Sequence, residues 1–126
     1  MIVSIILLIF AFINKAICDV LNSRYNTSIF KNLNSNYFNP TVSWKNKYKD
    51  GDYTKGAKFF GSTTFFVMFT DFWHLSNFLM TISFILSLTL NTFYVPYFSI
   101  IIDSILIYIL YGIVFQLFFA KLLIKK

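Results

Sequence analysis

Asp71, His74 and Asn77 stand three residues apart inside an apolar run, Phe59 to Leu90, that is long enough to cross a membrane. On a helix Thr70, His74, Asn77 and Thr81 follow the i, i+4, i+7, i+11 pattern, so they project as one polar stripe with Asp71 beside it. A carboxylate next to an imidazole can hold a divalent metal, relay a proton, or join two helices by hydrogen bonds. An ionisable group within a bilayer costs about 2.5 to 3.5 kcal/mol on insertion scales, so the stripe must face protein or water. Asp19, Asp71 and His74 are the candidate metal ligands. A single His and a single Cys do not make the usual Cys/His zinc spacings, and one Cys excludes an internal disulfide. No nucleophile motif, phosphate loop or dinucleotide fingerprint accompanies them. The reading carries no cofactor and no enzyme activity; an intramembrane metal-dependent enzyme is the third alternative.

The elements that position these residues follow from composition. Of 126 residues, 57% are hydrophobic and only 13% charged, and the mean hydropathy is +0.66. Soluble domains carry about 25% charged residues, so this chain belongs in a bilayer. The predicted fold is an all-α membrane protein with three transmembrane helices. Residues 1–21 form the first, retained because no charged side chain precedes the apolar run and Lys15 to Cys18 is a poor cleavage site. Lys15 and Asp19, at i and i+4, form an interfacial ion pair there. Residues 22–58 are a basic, aromatic interfacial loop. Residues 59–90 form the second helix, 91–96 a tight turn, and 97–126 the third helix with a basic C-terminal end. The short turn makes the last two spans a hairpin. Ser76, Ser83 and Ser87 share one face of the second span, and Ser104, Tyr108, Tyr111 and Gly112 cluster on the third, where small residues let helices approach. Gln116 falls at about the depth of Asp71 and His74, whereas Asp103 lies in the other half of the bilayer.

The loop holds Arg24, Lys31, Lys45, Lys47, Lys49, Lys55 and Lys58, seven of the eleven basic residues. Lys45, Lys47 and Lys49 alternate with Asn46 and Tyr48 and follow Trp44, a pattern suited to anionic lipid headgroups more than to nucleic acid. Asn26-Thr27-Ser28 is a weak glycosylation match, and Asp50-x-Asp52 lacks the rest of a calcium loop. Lys121, Lys125 and Lys126 end the chain and the 91–96 turn has no basic residue, so the positive-inside rule puts the N-terminus outside and the basic loop and C-terminus in the cytoplasm.

The segments Ala16-Ile17-Cys18-Asp19, Ser28-Ile29-Phe30, Phe38-Asn39-Pro40, Ser43 to Asp52, Lys58 to Thr64 and Thr70-Asp71-Phe72-Trp73-His74 together resemble a group of small uncharacterised integral membrane proteins of Bacteroidetes-type bacteria, with phage-borne relatives as a further source. The resemblance covers about residues 11 to 80. It implies an architecture, located in a bacterial inner membrane or virion membrane, and supplies no reaction. At Arg24 and Tyr25 the chain departs from the group's pattern, so a two-His metal site is not carried over. The function expected from all this is a structural or assembly component of a membrane, partnered by lipid and by other membrane subunits or further copies of itself. A pore, holin-like or transporter subunit is the alternative.

Overall fold

The computed structural model describes residues 2–90 and 97–125, with 97–101 described as backbone. Three of its helices are long and apolar enough to cross a membrane. The first, α1, runs over Ile2–Arg24, with no Gly or Pro to interrupt it and with Arg24 in the last turn, where a cation suits the carbonyl end of the helix dipole. Between α1 and the second long helix the chain makes single turns, among them α2 (Ser35–Phe38) and α3 (Pro40–Ser43). Asn34 and Asn39 cap these two, each side-chain oxygen accepting a backbone N–H, and Pro40 takes the first position of α3, where its missing N–H costs nothing. The second long helix, α4, spans Phe72–Leu90, and the third, α5, spans Tyr97–Leu117 and widens into a π-helical turn at Phe118–Leu122.

The second helix is therefore shorter than its apolar run. Residues 59–71 are turns and a short 3₁₀ segment at Val67–Phe69. Gly61 sits at φ 77°, a left-handed conformation that breaks a helix. The Ser62 hydroxyl donates to Lys47 O at 2.7 Å, a bond to the loop that competes with a helical ladder. Aromatic and β-branched neighbours such as Phe65, Thr63 and Thr64 add little helix preference to resist this.

Helix α1 lies against both of the others. Its contact with α4 is antiparallel: Ser87 Oγ donates to Ser4 O at 2.9 Å near one end, and Cys18 Sγ approaches Trp73 O at 3.7 Å near the other. Ser76, Ser83 and Ser87 are all buried, so the small-residue face of α4 packs on α1, whose own facing residues include the buried Ser4, Leu8 and Ala11. With α5 the contact is parallel. Phe12 meets Tyr111 edge-on with ring centroids 5.1 Å apart, and the Arg24 guanidinium sits 4.3 Å from the Phe119 ring centre. The tight turn and the hairpin closure expected at 91–96 lie outside the described residues.

The tightest packing is at one end of the helices. Ala16, Val20, Leu21, Phe30 and Leu123 form the buried core there, with Phe38, Phe72, Trp73 and Phe115 packed around it. The loop after α1 and the C-terminal residues meet at this end: Ile29 N donates to Leu123 O at 2.9 Å, and Lys125 N to Thr27 O at 2.8 Å. The 25–71 segment is thus a folded cap over one end of the three helices.

Candidate functional site

Asp71 is the residue just before α4, so it caps the helix instead of projecting from its middle. Its Oδ1 accepts the backbone N–H of His74 at 2.9 Å, the N-cap bond that satisfies one of the donors every helix start leaves open. Its Oδ2 lies 2.6 Å from His74 Nδ1. A carboxylate can only accept, so the imidazole proton sits on Nδ1 and Nε2 is left as the nitrogen available to a further partner. The Thr70 hydroxyl lies 2.7 Å from Val67 O and 3.2 Å from Asp71 Oδ2, and its one proton serves either oxygen in turn. Asp71 is 1% exposed, and negative charge buried at a helix N-terminus is favoured by the helix dipole.

The cap holds this corner from above. Asn46 donates its side-chain amide to Thr70 O at 3.0 Å and to Asn36 O, tying the lysine-rich segment and α2 to the start of α4. The Tyr37 ring lies 6.2 Å from that of Phe72, and burial, with the Asp71 charge adding to it, pushes the Tyr37 phenol above its ordinary value. In the sequence Tyr37 reads only as one aromatic of the interfacial loop and Asn46 only as the spacer between two lysines, and no local pattern links either to Thr70 or Asp71.

Of the predicted stripe, His74, Asn77 and Thr81 lie on α4 at the expected spacing, while Thr70 and Asp71 precede its first residue. Asp71, His74 and Thr70 come together at the helix start. Asn77 is half-buried and Thr81 exposed further along α4, with the Thr81 hydroxyl donating to Asn77 O at 2.9 Å, its own helix's carbonyl. Gln116 is exposed on α5, and no hydrogen bond joins it to Asp71 or His74. As for the metal candidates, among the described residues no three His, Cys, Asp or Glu side chains gather within reach of one ion. Asp19 is instead held by Lys15, whose Nζ lies 2.6 Å from both carboxylate oxygens, the interfacial pair expected from their spacing. Cys18, the only thiol, points its sulfur at Trp73 O. What remains at Asp71 and His74 is an oriented imidazole with no nucleophile bonded to it, an arrangement that can pass a proton or bind a donor at Nε2.

The lysine and aromatic residues 44–49 lie on two consecutive 3₁₀ turns. Trp44 and Lys45 are exposed on a 3₁₀ turn spanning Trp44–Lys47, and Lys49 is exposed beyond it. Lys45 Nζ lies 5.8 Å from the Trp44 ring centre and Lys47 Nζ 5.5 Å from that of Tyr48, with the two rings edge to face at 6.1 Å. Tyr48 pairs with Ala57 across a turn that Asp50, at φ 53°, and Gly51, at φ 73°, reverse. Asp52 caps Thr54, whose N–H holds that carboxylate below its ordinary value, and Asp50 pairs with Lys55 at 2.9 Å; both acids thus have local structural partners.

No family model matches the chain, and no curated protein or solved structure is similar to it.

Proposed function

We propose that this is a structural or assembly component of a membrane, built to associate with other subunits through α5 and to rest its cap on anionic headgroups. The supporting observation is the exposure of α5. Ile105, Ile109 and Ile113 are open, which lipid accommodates, but Asp103, Tyr108 and Gln116 are open as well. Polar groups on a spanning helix are costly against hydrocarbon and are satisfied by a neighbouring helix. Within the protomer several other polar groups have partners of their own: Asp71 caps α4 and holds His74, Asp19 holds Lys15, and Thr81 bonds its own helix. This supports an assembly role over an intramembrane enzyme. The charge pattern supports the cap and the C-terminus facing the cytoplasm, with a bacterial inner membrane or a virion membrane as the setting.

Disulfide trapping tests the association. Gln116→Cys and Tyr108→Cys, in a Cys18→Ala background, are expected to give cross-linked dimers in native membranes, whereas Ser83→Cys, buried against α1, gives none. Monomer alone from all three would sink the proposal. Leakage of a small dye from vesicles holding the protein would support the pore alternative instead.

A further inference from the structure

The cap carries a cleft of about 350 Å³ between the 34–37 turn and residues 58–70. Asn36, Tyr37, Asn46, Lys58, Phe59 and Phe69 are among the residues that line it, and no acidic side chain is. We propose that this cleft binds the phosphate of one anionic phospholipid, with the acyl chains leaving over the phenylalanines.

Three features point to that occupant. The first is chemistry. Lys58 supplies the cation from a fixed base, because its backbone N–H donates to Lys47 O at 2.9 Å. Asn46 ties both walls together through Asn36 O and Thr70 O, so the polar wall is preformed. Tyr37 keeps its phenol proton because burial and Asp71 oppose its loss, which leaves it a donor to an anion. Asp71 itself, next to the lining residue Thr70, is buried and engaged by His74. The second is position. Thr70 stands two residues before α4, so the cleft opens at the level where an apolar spanning helix begins and phosphates lie. The third is the surface beside it. Phe60 is 89% exposed, Phe65 81% and Phe69 66%, on a segment of turns and one 3₁₀ turn that cannot bury them by spanning. Such a cluster favours the boundary between headgroups and acyl chains. A free anion would use the first feature alone; a phospholipid uses all three.

This rests on the proposed headgroup-facing cap only for its setting, and the test separates the two. The full chain is released from nanodiscs of equal phosphatidylglycerol and phosphatidylcholine and weighed by native mass spectrometry. One retained lipid is expected, with phosphatidylglycerol favoured about fivefold, the worth of one juxtamembrane cation. Lys58→Gln abolishes the preference and Lys58→Arg keeps it, while Lys121→Gln, at an exposed lysine of the C-terminal turn, leaves it intact. The proposal is overturned by no retained lipid, by an unchanged preference in Lys58→Gln, or by displacement of the lipid with inorganic phosphate. Quenching of Trp44 by a headgroup probe in the same nanodiscs, at low and high salt, reads the general docking of the cap. Quenching indifferent to salt and lipid charge would refute that docking, and Lys58-dependent retention alongside it would still uphold the cleft.

Discussion

Asp71 combines two jobs that one carboxylate can perform because of where the helix starts. One oxygen takes the N–H of His74 and the other its imidazole, so cap and side-chain pair stand or fall together. Asp71→Ala is expected to cost about 1 kcal/mol for the cap, with more lost as the partly buried imidazole is left without its acceptor. Asp71→Asn keeps an N-cap oxygen and should retain a large part of the stability. His74→Leu leaves Oδ2 of the buried carboxylate with only the shared Thr70 proton and should cost about 1 to 3 kcal/mol. Thermal unfolding in detergent checks all three, and equal midpoints for wild type, Asp71→Ala and His74→Leu would show the pair to be idle. These two residues were legible in the sequence from type and spacing. Their geometry was not, since three-residue spacing describes a helix surface equally well when the first member caps the helix and when it lies within it.

Helix α4 is set by what it packs on. Its serine face lies against α1, and Ser76 is fully buried with its hydroxyl lacking a partner among the described residues. Ser76→Ala is therefore expected to be neutral or mildly stabilising, because it removes an unsatisfied polar atom without changing the close approach. Ser76→Leu should lose about 1 to 3 kcal/mol through overpacking against α1. Detergent melting of the two variants decides it, and equal loss from both would mean that the hydroxyl has a partner of its own. The serine face was readable as a periodic pattern, and so was the apolar character of 59–71. That the latter does not continue the helix depends on Ser62 reaching Lys47 O, a bond across fifteen residues that hydropathy does not register.

At the scale of the whole molecule, the cap and the C-terminal residues share one end because three helices alternate in direction and the backbone pairs Ile29 with Leu123 and Lys125 with Thr27. Orientation then becomes one binary question. With Cys18 buried, background labelling is low, so Lys49→Cys and Tyr94→Cys can be compared in intact cells with an impermeant maleimide. Labelling is expected at position 94 and not at 49, and the reverse would invert the topology drawn from the positive-inside rule.

Three apolar runs, the basic aromatic loop between the first two, and the Lys15 and Asp19 pair were all readable from the chain, because hydropathy, charge and i, i+4 spacing are properties of local stretches. Partnership was not. Which helix receives the serine face, the tie from Asn46 to Thr70, and the cleft that Thr70 lines all depend on contacts between residues distant in sequence. Such contacts are settled by packing α1 against both other helices and by the cap's hydrogen bonds through Asn46 and Ser62, and a one-dimensional pattern holds no record of either.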